Sequence, residues 1–456
     1  MLPGYFKAGL PILKRLQESG FEAWFAGGAV RDLLLGRPVR DIDIATGASA
    51  EDVLRLFKKV KTVPGGLKHG TVIIVVHGGK RYDLMTFGRA APGKSILGRL
   101  KRFDYSINGM AMAADGTIID NYGGRKDIEN RTLRTLRSPD ETFRADPLRI
   151  LRGLRFASAM GLSISPEILK AMRRNGKGLK SVSAERLRDE LLKLLESADK
   201  PSGAFRLMRE LGLLKYFLPE FGKCFGFAQN KYHAYDVAEH TLMAVDRLPK
   251  DKPLLRWTAL LHDIGKPVSC RNYGSARASF IGHEIIGAKM AEKLMERLRF
   301  STGDIRYTGK MIRHHMWQYR PEVRDSTIRR FLAKLGMELF DDFLLFKGAD
   351  RYAKGKGEMG PGRDIAFRER VRDMMRRSGV LKVKDLALGG KDIMRVAGAA
   401  EGPAVGKILK RLLARVLKDP SLNTRKKLLA ELKGRPGGEN KRGEISPPAR
   451  PARTEK

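Results

Sequence analysis

Residues 25–46 read FAGGAVRDLLLGRPVRDIDIAT, and they set Asp41 and Asp43 one residue apart in an apolar run of a chain whose formal net charge is +38. The alternation in DIDIAT is that of a short strand, so the two aspartates share one face while Ile42 and Ile44 share the other. Two like charges on one face need compensation. Either solvent and Arg31, Arg37 or Arg40 supply it at a strand end, or the pair ligates a divalent cation. Mg²⁺ suits the second reading, because it takes oxygen ligands and keeps positions for water and phosphate. Just upstream, Gly27 and Gly28 let backbone approach a phosphate closely, and a helix starting near Ala29 aims its amide dipoles at an anion. Asp83, in KRYDLMTF, falls on the neighbouring predicted strand and offers the third carboxylate that two-metal phosphoryl transfer commonly uses.

The rest of the composition narrows the setting. At 456 residues with 42% hydrophobic content, the chain can bury cores for several domains. Lys and Arg number 89 against 51 Asp and Glu, spread along the chain rather than gathered in one amphipathic helix, which points to a polyanion such as nucleic acid. No apolar run approaches the roughly 18–20 residues of a membrane span, and the start lacks the features of a signal peptide. With two cysteines, Cys224 and Cys270, there is no disulfide framework, and a cytoplasmic location without membrane contact or an obligate protein partner is expected.

Along the chain, residues 1–20 read as a helix ending at Gly20, followed by strands that include a hairpin in TVIIVVHGGKRYDLMTF. From Ser138 the pattern turns helical: DPLRILRGLRFASAMG repeats apolar and Arg positions at three and four, and SAERLRDELLKLLES opens with a Ser183 cap. The expected class is α+β, a small mixed β-sheet followed by mostly helical domains. Segments are placed at 1–137, 138–225, 226–358, 359–433 and a basic tail, 434–456, without apolar periodicity and expected to be disordered. Asp146 and Arg149, three apart on one predicted helix, share a face. They read either as an intrahelical ion pair or as donors and acceptors for the edge of a base.

The order Gly-Gly-x-Val-Arg-Asp, Asp-x-Asp, DYSINGMAM, GTIIDNYGGRKDIENRTLRT and FRADPLRILRGLRFASAMGLSI resembles the class II tRNA nucleotidyltransferase and bacterial poly(A) polymerase family over about residues 20–220. The resemblance implies a polymerase-β-like palm for 1–137 and a helical neck for 138–225. It implies Asp41 and Asp43 as ligands of catalytic Mg²⁺, with Asp83 as an auxiliary carboxylate. Gly27, Gly28, Arg31 and Asp32 then match the motif at the incoming nucleotide, and Asp104 and Asn108 the ribose-recognising RRDFTIN motif. Asp146 and Arg149 match the EDxxR pair that reads CTP or ATP, with Arg152 and Arg155 on the following turns assigned to nucleotide binding. The implied reaction is template-independent addition of CMP to the 3′ end of tRNA. Three departures bear on it: Ala145 stands where the family has Glu, Phe103 stands where it has Arg, and TFGRAAPGKSILGRLKRFD is short and lacks an Asp-Gly-Arg-Arg-Pro run. A short loop goes with enzymes adding only the two cytidines, so AMP addition from ATP stays open. Poly(A) polymerase is the alternative within the class.

Six of the eight histidines lie between His233 and His315. His262-Asp263, at the end of an apolar helix, preceded by His240 and followed by Asp350, combines imidazoles and carboxylates as a divalent site requires. The set resembles the HD metal-dependent phosphohydrolase superfamily, which implies His240, His262, Asp263 and Asp350 as ligands of one metal. His283 and His314 match extra ligands of two-metal members, and Mn²⁺, Co²⁺ or Ni²⁺ is the expected ion. An HD phosphohydrolase acting on cyclic or terminal phosphates, carrying an RNA-binding module, is the competing reading from another class.

Overall fold

DIDIAT forms the strand Ile42–Thr46 in the computed structural model, which describes Leu2 and residues 4–39, 42–58, 62–63, 71–76, 80–86, 95–230, 233–274, 278–355, 362–398 and 400–433. Asp41, the Gly-Gly turn of the expected hairpin, residues 87–94 of the short loop and the 434–456 tail lie outside the described residues. The strands are β1 (Ala23–Ala26), β2 (Ile42–Thr46), β3 (Thr62–Val63), β4 (Thr71–Val76), β5 (Lys80–Thr86), β6 (Ala111–Met112) and β7 (Ile118–Ile119). They form one sheet in the order β3-β4-β5-β2-β1-β6-β7. β2 and β5 run parallel and the other pairs antiparallel, so the sheet is mixed.

The alternation decides the packing. Ile42 and Ile44 turn into a core with Phe25, Tyr82 and Leu84, covered by Phe6, Leu13 and Leu16 of the Gly4–Glu18 helix. Phe6 meets Phe25 edge to face at 5.1 Å. Asp43, on the opposite face, is only partly buried.

Beyond Ser138 the described chain is almost wholly helical, as the periodicity predicts. Ser138 and Ser165 accept from the amides three residues on, whereas Ser183 occupies the N-cap position of Ala184–Ser197 without a side-chain hydrogen bond. A short parallel pair, Thr132–Leu133 with Ser163–Ile164, adds a second sheet that the sequence reading does not contain. One expectation needs correcting: Asp146 and Arg149 do not share a helix. Pro139–Ala145 ends at Asp146, whose backbone is extended (φ −154°, ψ 102°), and Leu148–Met160 begins afresh. Pro147 is the cause, because its ring disfavours helical backbone at the residue before it.

The chain divides into two compact units, 1–316 with 341–359, and 317–340 with 360–456. Residues 317–340, placed above within 226–358, thus fold with the C-terminal helices. In that second unit Leu388, Ile393, Leu412, Val416 and Leu428 form a core, and Trp317 stacks on Phe331 at 4.0 Å. The Pro403–Lys418 helix turns Val405, Leu412 and Val416 inward and exposes Lys407, Lys410, Arg411, Arg415 and Lys418.

In the first unit the helical segment docks on the sheet domain through buried Tyr105, whose hydroxyl donates to the Arg149 carbonyl at 2.7 Å. Gly153 makes room for it, since a Cβ there would lie 2.1 Å from Tyr105 Oη. Gly153→Ala should destabilise the protein by roughly 1–3 kcal/mol through overpacking. Adding Tyr105→Phe, which removes the nearest atom, should recover part of the loss. Thermal melts of both variants check this, and a silent Gly153→Ala would contradict the docking geometry.

Candidate active site and metal centre

The register of β2 on β5 sets Asp43 directly beside Asp83, so the two carboxylates face the same side on adjacent strands. Asp83 also accepts from Arg81 Nε at 3.2 Å. Above Asp43 lies Gly27, with φ +71°, a conformation glycine adopts without strain. A Cβ on Gly27 would stand 3.1 Å from Asp43 Oδ2 and 3.1 Å from Phe103 Cε1, so carboxylate and ring converge on one point. Paired carboxylate oxygens here are suitable ligands for a hard divalent cation.

Arg31, Asp32, Asn108, Asp104 and Arg152 form one network. Arg31 donates to both Asp32 oxygens at 2.9 Å and to Asn108 Oδ1 at 2.6 Å. Asn108 donates to Asp104 Oδ1 at 2.9 Å, and Arg152 Nε to Asp104 Oδ2 at 2.6 Å. Burial alone raises the Asp104 carboxyl, but Arg152 and the hydrogen bonds from Asn108 and the Tyr105 amide overcome it and hold it below its ordinary value. Arg155 is occupied by Glu190 Oε1 at 2.5 Å, and its guanidinium lies 4.2 Å from the Phe156 ring centre.

Next to this network is a cavity of about 410 Å³ lined by Met85, Phe103, Asp104, Asp146 and six arginines, 99, 102, 137, 149, 152 and 186. Asp146 and Arg149 therefore reach one cavity despite the break between them. They are not paired with each other in the observed contacts. Asp146 Oδ2 accepts from Arg186 at 2.6 Å and Oδ1 from the Leu148 amide at 3.2 Å, while Arg149 donates to the Arg102 carbonyl at 3.0 Å. Arg99, Arg102, Arg137 and Arg186 were not among the residues singled out from sequence, where nothing local distinguishes them among so many basic side chains.

The histidine cluster lies in the same unit. His240, His262, Asp263, His283, His315 and Asp350 are all buried. His262 Nε2 and His240 Nε2 stand 3.1 and 3.5 Å from Asp263 Oδ2, and His283 Nε2 and His315 Nε2 stand 3.4 and 3.7 Å from Asp263 Oδ1. Asp350 Oδ1 lies 3.2 Å from His240 Nε2. Each Asp263 oxygen thus faces its own pair of imidazoles.

His262, His283 and His315 each place Nδ1 at 2.6–2.7 Å from the carbonyl three residues earlier. That bond puts the proton on Nδ1 and leaves the Nε2 lone pair facing inward, as metal ligation demands. Among the described residues, His240 Nδ1 and Nε2 and His262 Nε2 are buried without a hydrogen-bond partner. Donors around a cation bound at about 2.1 Å sit about 3.0–3.4 Å apart, and these residues fit such an ion.

The structure corrects one member: His315, not His314, enters the cluster, and His314 is partly exposed. The signal was present, since Thr308, Met311, Ile312 and His315 lie at helical spacing on one buried face. Two further residues escaped the sequence reading. Lys266 Nζ lies 2.6 Å from Asp263 Oδ2, and Lys347 Nζ donates to Asp350 Oδ2 at 3.1 Å and to the His315 carbonyl at 2.6 Å. Against burial, which raises both carboxyls, His262 and Lys266 hold Asp263, and Lys347 holds Asp350, well below the ordinary range.

Comparison with known proteins gives three family models in order: a poly A polymerase head domain at 23–134, a probable RNA and SrmB-binding site of polymerase A at 161–224, and an HD domain at 231–355. The chain is 31% identical to an A-adding tRNA nucleotidyltransferase of Deinococcus radiodurans over 404 residues, 86% of this chain and 90% of that one. It is 41% identical to the CCA-adding enzyme of Geobacillus stearothermophilus over 230 residues, a match that spans 48% of this chain and 56% of that enzyme. The crystal structure of the Bacillus stearothermophilus CCA-adding enzyme in complex with CTP superposes with a TM-score of 0.70 at 29% identity, covering 95% of this chain and 98% of that one. No helix among the described residues is long and apolar enough to cross a membrane.

The cluster geometry predicts that His315→Ala weakens Co²⁺ binding by at least about tenfold, while His314→Ala leaves it within about twofold. Titration of metal-stripped protein followed by the visible d–d bands of Co²⁺ checks this, and equal losses would return His314 to the ligand set.

Proposed function

The chain belongs to the tRNA nucleotidyltransferase family, and from that premise we propose that it extends the 3′ end of tRNA without a nucleic-acid template, joining CMP, and AMP as the open variant, from CTP and ATP with release of pyrophosphate. The carrying observation is the arginine-lined cavity beside the Asp43–Asp83 pair. A triphosphate needs clustered cations, and a base needs fixed donors and acceptors; the cavity holds both.

Asp43, with Asp41 and with Asp83 as auxiliary, would hold Mg²⁺, which when bound lowers the pKa of the attacking 3′ hydroxyl and neutralises charge on the triphosphate. Gly27, Gly28 and Arg31 hold the phosphates. Asp146 and Arg149 present an acceptor and a donor fork to the base edge, so the protein acts as the template. The exposed basic face of Pro403–Lys418 binds the tRNA backbone through phosphate contacts. Likeness to an A-adding enzyme over most of the chain supports AMP, and the short segment after β5 supports CMP alone. Incubation of tRNAs ending before CCA and after CC with each labelled triphosphate separates these from each other and from poly(A) synthesis. A tRNA substrate also supports a cytoplasmic location.

The His240–Asp350 cluster supports a second activity, hydrolysis of cyclic or terminal phosphates with Mn²⁺, Co²⁺ or Ni²⁺, since mixed imidazole and carboxylate ligands accept these ions. The two activities should separate. Asp43→Ala should lower nucleotide addition by at least about a thousandfold and leave tRNA binding and phosphohydrolysis intact, while a His262→Ala, Asp263→Ala double variant should do the reverse. Joint loss of both activities in folded variants would refute the two-site reading.

Base reading has its own test. Replacing Asp146 and Arg149 together with Ala should slow addition and compress discrimination among CTP, ATP, UTP and GTP by about tenfold or more. Unchanged selectivity in single-turnover assays would assign the two residues a structural role.

A further inference from the structure

Two aromatic rings on segments that flank the histidine cluster have no part in metal ligation. Tyr273 is 56% exposed, and its ring centre lies 4.4 Å from that of half-buried Phe227, with the planes inclined at 36°. Both rings are carried by segments rooted in the cluster. The Phe227 carbonyl accepts from the amide of Val237, which opens the helix bearing His240. Tyr273 follows the Lys266–Ser269 turn of helix, and its segment is tied back where Arg271 and Ser279 exchange backbone hydrogen bonds at 2.9 and 3.1 Å. Gln229, two residues beyond Phe227, connects the rings to the ligands. Its Oε1 accepts from Lys266 Nζ at 2.6 Å, and that ammonium lies 2.6 Å from Asp263 Oδ2. Its Nε2 donates to the Tyr235 and Asp236 carbonyls at 3.1 and 3.2 Å, which fixes the amide.

Exposure rises along this line: Asp263 and Lys266 are buried, Gln229 is half-buried and Tyr273 is open. A phosphate ester held at the ligands therefore has its phosphate inside and its alcohol part outside, leaving past Lys266 and Gln229 toward the rings. A sugar or glycerol has no flat face to lay on an aromatic ring, whereas a nucleobase does. We propose that Tyr273, backed by Phe227, is a base-stacking subsite of the histidine cluster, and that the ester hydrolysed there is a nucleoside monophosphate. Water attacks phosphorus, the P–O ester bond breaks, and the leaving nucleoside oxygen takes up a proton from that water. Every base has a π-face, so the subsite favours nucleotides over phosphates without a base and discriminates little among the four bases.

This inference rests on the phosphohydrolase reading of the cluster, and the test keeps the two apart. Hydrolysis of 2′-, 3′- and 5′-AMP by the Co²⁺-loaded full chain is compared with that of ribose 5-phosphate, which lacks the base. The wild type should show a KM about tenfold or more lower for the AMP isomer it turns over than for ribose 5-phosphate. Tyr273→Ala should raise KM for AMP by about tenfold and leave that for ribose 5-phosphate within about twofold. Tyr273→Phe should keep the wild-type preference, because it keeps the ring. A second readout is independent of turnover: in Tyr273→Trp at saturating Co²⁺, the added indole emission should be quenched by AMP and not by ribose 5-phosphate. Equal KM for AMP and ribose 5-phosphate in the wild type, an equal loss for both in Tyr273→Ala, or an unquenched indole would overturn the proposal. So would a parallel loss of nucleotide addition in Tyr273→Ala, which would assign the ring to folding. Absence of all hydrolysis by the wild type would instead refute the phosphohydrolase reading, and the indole titration would then decide base binding by itself.

Discussion

Asp104 is the point on which the first unit's active site turns. Its carboxylate is buried where an unpaired charge would be costly, and the burial is tolerated because the Tyr105 amide, Asn108 and Arg152 all donate to it. Those donors come from different levels of the structure. Asn108 passes the constraint to Arg31 and Asp32 beside the Gly27–Gly28 turn, and Arg152 passes it to the Leu148–Met160 helix. Removing either partner would strand a buried charge, so sheet and helix are held in one relative position. Tyr105, the next residue, repeats the tie through the Arg149 carbonyl.

A protein that selects a base without a nucleic-acid template must keep its own donors and acceptors still. Asp146 cannot wander, because Arg186 holds one oxygen and the start of the Leu148–Met160 helix holds the other. Arg149 is steadied by the Arg102 carbonyl. On the proposed reading, in which Asp146 and Arg149 select the base, the extended backbone that Pro147 imposes on Asp146 is useful rather than incidental. In a continuous helix the two side chains would point along one face, free to pair with each other; broken, they enter the cavity with separate supports.

Much of this was legible in the sequence. Period-two alternation located β2 and set Asp43 on the face opposite Ile42 and Ile44, and the hairpin pattern put Asp83 on a further strand, which the register brings beside Asp43. Helical periodicity after Ser138 reflects the same rule at a period of 3.6. What escaped is mostly long-range. Arg186 meets Asp146 across 40 residues, and no local pattern marks one arginine among so many. The pair Thr132–Leu133 and Ser163–Ile164 is too short to show alternation. The break at Pro147 and the choice of His315 were different, since both signals were present. A proline disfavours helix at the preceding residue, and a buried helical stripe excludes the neighbouring histidine.

The two candidate sites answer to charge in opposite ways. Around the open cavity six arginines face two aspartates, a surplus that suits a polyanion arriving with its own divalent ions. The histidine cluster is balanced: with imidazoles neutral, as ligation requires, Asp263 and Asp350 are offset by Lys266 and Lys347. A cation entering there brings uncompensated positive charge into a buried site. On the phosphohydrolase reading proposed above, that charge would be offset by the substrate's phosphate. Screening by salt therefore bears chiefly on the open, arginine-lined cavity, whereas occupancy by metal governs the buried cluster.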